Sequence, residues 1–296
     1  MKFRNYEKGT KIAKIYEKML TRQTFSYSTS MKLMFNKPPY IYSDVQSMMN
    51  RLLSIVDESD PDTKESQSLH CYQTAESLQQ KIISTNFNKI TIRSLFNSEW
   101  NNSLADRYPT YIYELYSHID QWDWLPLTGY IHDLGKIMML PEFGELDQWS
   151  VVGDTFPIRS KINPNYPFYE YGLDNKDLIV EDYQNRCGFN NVLFSWGHDE
   201  YLAQVLERNN TQLPPESIYL IRYHSFYSWH SPRNGIRGYT HLANNYDWNM
   251  LPLLKLFSQS DLYSKKSSER LLQLNELSSK YNRLISKYIP NDRLSW

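Results

Sequence analysis

The sequence predicts an all-α fold, a single-domain helical bundle with only short extended segments. Three observations point there. Apolar residues recur at three- and four-residue steps through most of the chain. The one clear extended reading, Trp149–Pro157, is short and turns at Gly153. And 296 residues suffice to bury a large core in one domain.

Taken in order, Ile12, Ile15, Tyr16, Met19 and Leu20 mark a first amphipathic helix. A polar loop follows, ending in Pro38-Pro39. Ser43 with Gln46 reads as a capping box for a helix whose stripe is Val45, Met48, Met49, Leu52 and Val56. That helix stops at Asp57-Glu58-Ser59-Asp60-Pro61-Asp62, either a solvated turn or a set of carboxylates that grips the hydroxyls of a polyol. The next helix carries His70, with Leu69, Tyr72 and Ala75 beside it. His70 reads as a hydrogen-bonded core residue or a metal ligand. Residues 81–116 read as an atypical insertion, helical from Ile90 to Phe96 and otherwise a surface excursion.

The central stretch is Thr128–Lys136. Leu127, Ile131, Leu134 and Met138 give one continuous helix a core face, ended by Pro141. His132 and Asp133 then lie about 100° apart around it, within reach of a metal beside the helix, and the two oxygens of Asp133 suit a bridge between two ions. Lys136 reaches the same spot, and Gly135 lets another backbone come close. A solvated His-Asp pair at a helix end is the plainer alternative. Asp154 reads as an Asx-turn residue or a substrate contact. Residues 159–190 read as loop lying over the body. Helices resume at Ser195–Tyr201, with Asp199 and Glu200 in the first turn, at Pro214-Pro215-Glu216 through His224, and at Pro252, where Leu253, Leu254 and Phe257 share the face of Asp261.

Composition excludes several classes. The formal net charge of −1 lacks the basic surplus of a nucleic-acid binder. Two cysteines without a CxxC pair exclude a disulfide framework and a thiolate zinc site, and suggest a reducing compartment. No stretch has signal-peptide or membrane-span character, so a cytoplasmic protein without membrane partners is expected.

His70, His132, His198, His224, Asp133 and Asp261 all lie along apolar helical faces. Four imidazoles and two carboxylates suit iron, manganese or zinc, and six ligands suit two ions sharing Asp133. Buried without metal, they would cost several kcal/mol in unpaired polar atoms. His118, His230 and His241 read as surface or supporting residues.

The words around these residues resemble one family. They are FRNY (Phe3–Tyr6), VDESDPD (Val56–Asp62), His70 with QTAE (Gln73–Glu76), HDLGK (His132–Lys136) and VVGDTFP (Val151–Pro157). SWGHDEY (Ser195–Tyr201), HSFY (His224–Tyr227), DLY (Asp261–Tyr263) and LSW (Leu294–Trp296) continue the series. Together they resemble the myo-inositol oxygenases of the HD-domain superfamily. The resemblance implies an HD-domain-like bundle around a mixed-valent Fe(II)/Fe(III) pair. His70, His132 and Asp261 would hold one iron, His198 and His224 the other, with Asp133 bridging. It implies ring opening of myo-inositol by dioxygen to D-glucuronate, a four-electron oxidation, in which Lys136 and Asp133 would serve catalysis. Arg4, Asp57, Ser59, Lys136, Asp154, His224, Ser225 and Lys265 would contact substrate, and a monomer is expected. Two rival readings are a metal-dependent HD-type phosphohydrolase, which would want more cations than Lys136, Lys265 and Arg222, and a catalytically impaired paralogue that keeps the fold.

Overall fold

The computed structural model describes residues 6–60, 66–85, 122–232, 235–264, 274–289 and 293–296. The candidate residues Arg4 and Lys265 lie outside these, as do Asp62, His118 and residues 86–116 of the expected insertion.

The architecture is helical. Helix α1 (Lys11–Arg22) is capped by Thr10, whose side chain accepts from the Ala13 N–H, and it buries Ile15, Tyr16, Met19 and Leu20 as its spacing predicts. A second helix, α2 (Phe25–Met34), replaces the expected polar loop. It buries only Ser28 and Met31, so no apolar stripe announces it. Its start is set by the Thr24 cap and by the buried amide of Gln23. That amide donates to the Trp196 carbonyl (2.9 Å) and accepts from the Trp196 N–H (2.9 Å).

Ser43 does not cap the next helix. It lies in strand β1 (Tyr42–Asp44), which pairs antiparallel with β2 (Arg293–Ser295) in the register Ser43 to Leu294. The cap of α3 (Val45–Arg51) is Asp44, whose carboxylate accepts from both the N–H and the hydroxyl of Ser47 at 2.7 Å. A carboxylate at that position meets two donors at once, so it wins over the serine before it. A single 3₁₀ turn follows α3, and the chain then buries Ile55 and exposes Val56.

Helix α4 (Gln67–Thr85) runs unbroken past His70 and includes residues 81–85. It packs against α5 (Trp124–Ile131) and α8 (Asn245–Ser264), while α6 (His198–Arg208) packs against α7 (Pro215–Tyr223). The final helix, α9 (Leu274–Tyr288), lies against α5. The main core fills the space between these helices. A second core joins α1 to Trp149, Phe156, Ile158, Ile162, Tyr166, Phe168 and Leu178. The irregular stretch 159–190 therefore contributes core rather than merely lying over it. Its three short 3₁₀ turns let aromatic residues point inward.

Two further expectations change. The central helix is not continuous: α5 ends at Ile131, the chain turns at His132-Asp133, and Leu134–Met139 is 3₁₀. Nor does Pro252 start its helix. Helix α8 begins seven residues earlier, where Asn244 and Asp247 exchange side-chain to backbone bonds (3.1 and 2.9 Å), and it carries Pro252 in its interior. The Trp149–Pro157 stretch opens with a helical turn (Gln148–Val151) and does turn at Gly153, whose φ is +99°. Among the described residues no helix is long and apolar enough to cross a membrane.

Candidate metal and substrate site

Asp133 stands at the break between α5 and the 3₁₀ segment, 1% exposed. One of its oxygens, Oδ2, faces His70 Nε2 (3.8 Å) and His132 Nε2 (3.5 Å). The other, Oδ1, faces His198 Nε2 (3.3 Å) and His224 Nε2 (3.7 Å). Asp261, from α8, closes the first group: its Oδ1 lies 2.6 Å from His70 Nε2 and 3.6 Å from His132 Nε2. Two groups of side chains that could hold a metal ion thus meet at one carboxylate, His70/His132/Asp261 and His198/His224. All six side chains are buried.

The helix ends decide which ring nitrogen faces inward. His132 Nδ1 donates to the Gly129 carbonyl (2.8 Å), His224 Nδ1 to the Ile221 carbonyl (2.8 Å), and His198 Nδ1 to the Val151 carbonyl (2.7 Å). A carbonyl only accepts, so each Nδ1 carries the proton and each Nε2 presents a lone pair to the centre. His198 Nε2 and His224 Nε2 stand 3.1 Å apart. Two lone pairs at that distance repel unless a proton or a cation lies between them. His132 Nε2 is buried with no hydrogen-bond partner. The cavity wall carries five carboxylates, Asp57, Asp60, Asp133, Asp154 and Asp261, against the single ammonium of Lys136 among the described residues. Orphaned nitrogen, facing lone pairs and net negative charge all fit metal cations, and nitrogen with oxygen donors suits a first-row metal.

Lys136 belongs to the same wall. In a 3₁₀ turn residues three apart are eclipsed, and Lys136 Nζ accordingly lies 2.9 Å from Asp133 Oδ2. It also donates to Asp57 Oδ2 (3.0 Å) and Gln67 Oε1 (2.6 Å), so its three protons are all engaged. Burial works against these charges, yet the ion pairs win. Lys136 holds Asp133 well below the usual carboxylate range, and Lys136 with Ser59 brings Asp57 down to about 2. Lys136 itself is raised by Asp133 and Asp57.

The cavity beside this centre has an empty volume of about 350 Å³, part of it open to solvent. Of the residues singled out from the sequence as substrate contacts, Asp57, Ser59, Lys136, Asp154, His224 and Ser225 line it, and Arg4 and Lys265 fall outside the described residues. Within the acidic turn Asp57, Ser59 and Asp60 are buried rather than solvated, with both the N–H and the hydroxyl of Ser59 on Asp57 Oδ1. Asp154 is buried too and accepts from the Tyr16 hydroxyl at 2.8 Å.

Sequence reasoning missed Gln67 and Tyr227. Gln67 sits one helical turn before His70, a spacing that could have flagged it. Tyr227 lines the cavity, and its hydroxyl donates to Asp261 Oδ2 at 3.4 Å. His230, read as surface or supporting, is fully buried and donates from Nε2 to the His224 carbonyl (2.8 Å). His241 is at the surface, near Glu181. Tyr130 is stacked on Tyr281 in the core at 4.5 Å.

A sequence profile of the family described as myo-inositol oxygenase matches residues 9–93 and 113–296. Among individual proteins, the chain is 37% identical to an inositol oxygenase of Dictyostelium discoideum, over 99% of this chain and 89% of that one. It is 36% identical to an inositol oxygenase of Homo sapiens, over 99% and 90%, and 35% identical to inositol oxygenase 2 of Arabidopsis thaliana, over 99% and 83%.

Proposed function

The chain belongs to the myo-inositol oxygenase family, and from that premise we propose that its buried centre binds two iron ions and opens the ring of myo-inositol with dioxygen, giving D-glucuronate and water. The observation that carries this reading is the pair of Asp133 oxygens, each directed at its own group of histidines. His70, His132 and Asp261 would hold one iron and His198 and His224 the other. The bound pair, as Fe(II)/Fe(III), supplies Lewis acidity toward a substrate hydroxyl and the electron transfers that couple dioxygen to carbon–carbon cleavage.

The chain's own residues bind, orient and shield. Asp57, Ser59, Asp154 and Ser225 offer oxygen acceptors and hydroxyls to a polyol, and Arg4 and Lys265 are further proposed contacts. Lys136 favours the ionised form of a nearby hydroxyl, because its ammonium is fixed in a site largely closed to water. Since its three protons are already taken, a substrate oxygen at Nζ must replace one partner. Burial of the centre keeps solvent from competing with substrate hydroxyls.

All six proposed ligands come from one chain, so a monomer is taken as the working unit. The free cysteines Cys71 and Cys187 support a cytoplasmic setting. The chain is further proposed to be one domain over 1–296 with an insertion near 81–116, a reading supported by the unmatched residues 94–112 of the family profile.

The test is direct. Purified protein is loaded with iron, reduced with cysteine and given myo-inositol while oxygen uptake and glucuronate are followed. Stoichiometric glucuronate is expected. An iron-loaded protein that consumes no oxygen, or one that hydrolyses phosphate esters without it, would overturn the proposal.

A further inference from the structure

The loop Val151–Thr155 touches both segments that carry the second histidine pair. At its start the Val151 carbonyl holds His198 Nδ1 at 2.7 Å. Gly153, at φ +99°, reverses the chain. At its end Thr155 bonds in two directions. Its N–H donates to the carbonyl of Ser225, the neighbour of His224, at 2.9 Å. Its hydroxyl donates to Asp199 Oδ2, on the neighbour of His198, at 2.5 Å. Thr155 and Asp199 are 5% and 1% exposed, and Asp199 Oδ1 accepts from the Glu200 N–H at 2.9 Å.

From this juxtaposition we infer that Thr155 is a positioning residue: its hydrogen bond to Asp199 clamps the start of α6 to the end of α7 and so sets the separation of His198 and His224. The inference rests on the two-metal reading above. The physical reason lies in burial. A carboxylate oxygen shut away from water holds its donor tightly, and the charge-assisted bond is short. Without the hydroxyl, Asp199 Oδ2 must turn toward another donor and take the first turn of α6 with it. His198, the first residue of that helix, moves with the turn. The other three ligands, His70, His132 and Asp261, stand on elements the clamp does not touch. Selectivity is therefore the signature. Thr155→Val should loosen one metal site and spare the other.

Metal-free full-length protein is titrated anaerobically with Co(II), followed by calorimetry and by the visible absorption of the bound ion. The His70→Ala background isolates the second site. Wild type should take up two equivalents. Thr155→Val should weaken the second equivalent ten-fold or more and leave the first within two-fold. Thr155→Ser, which keeps the hydroxyl, should restore wild-type binding, and Asp199→Asn should reproduce the selective loss from the other side of the bond. Unchanged binding in Thr155→Val overturns the clamp, as does an equal weakening of both sites that follows the loss in thermal stability. Uptake of a single equivalent by wild type would instead sink the two-metal reading, and the clamp would stand or fall on whether Thr155→Val weakens that equivalent. No uptake at all overturns both.

Discussion

Gly135 and His198 meet backbone to backbone. A Cβ built on Gly135 would stand 1.9 Å from the His198 carbonyl oxygen and 2.9 Å from its Cα. The 3₁₀ segment after Asp133 can therefore rest directly on the first residue of α6, which brings the Asp133 carboxylate, the proposed bridge, to the second histidine pair. Only a residue without a side chain permits that approach. Gly135→Ala is expected to cost more than about 3 kcal/mol and to lower metal content, because neither backbone can retreat without moving a ligand. Thermal unfolding and metal analysis check it. An alanine variant with wild-type stability and full metal content would contradict the packing described.

Metal stoichiometry should report the topology of the centre. Asp133 faces both groups of histidines, so Asp133→Ala is expected to lose two equivalents. His70→Ala and His198→Ala should each lose one. Elemental analysis of protein purified under saturating iron distinguishes these cases. Retention of both ions by Asp133→Ala would rule out the bridge.

Lys136 separates catalysis from stability. Lys136→Met leaves Asp57 and Asp133 buried without their cation, at a cost of about 3–5 kcal/mol in metal-free protein. It should also lower kcat by about 10²-fold or more, the loss expected for a fixed electrostatic donor. Adding Asp57→Asn removes one uncompensated charge, so the double variant should regain stability but not activity. Recovery of kcat in the double variant would argue against a catalytic ammonium.

His230 predicts an acid limb. Burial pushes its pKa down to about 3, against about 6.5 in an unfolded chain. Between those values the unfolded state holds a proton that the native state does not, so stability falls as the pH drops from about 6.5 toward 3. At pH 5 the contribution is about 2 kcal/mol. His230→Gln keeps a donor for the His224 carbonyl and cannot titrate. Its loss of stability between pH 7 and pH 5, measured by denaturant unfolding of metal-free protein, should be smaller than that of wild type by about that amount. Equal losses in the two proteins would mean that His230 is not the group responsible.

Much of the fold is legible where burial is one-sided. Helix α1 shows its face because water is on the other side. Where tertiary partners replace a stripe, the signal vanishes. Helix α2 depends on Gln23 and Trp196, far apart in the chain, and has almost no buried apolar face. The start of α3 turned on which of two adjacent polar residues found donors, and that depended on Ser43 being drawn into a strand with Leu294.

The candidate site divides in the same way. Residue types in their local words determine which groups are available: four imidazoles, two carboxylates and a lysine, each chemically able to serve a metal or a polyol. Sequence periodicity placed His132, Asp133 and Lys136 on one helix. Tertiary packing breaks that helix at Asp133, and the tighter turn aims Lys136 Nζ at the carboxylate. Which oxygen of Asp133 faces which histidines, which ring nitrogen each histidine turns inward, and that Gln67 takes the third proton of Lys136 were decided only in three dimensions. Local spacing constrains neighbours within a turn or two of chain. The orientation of groups brought together from distant segments is set by the backbone carbonyls and packed surfaces they meet there.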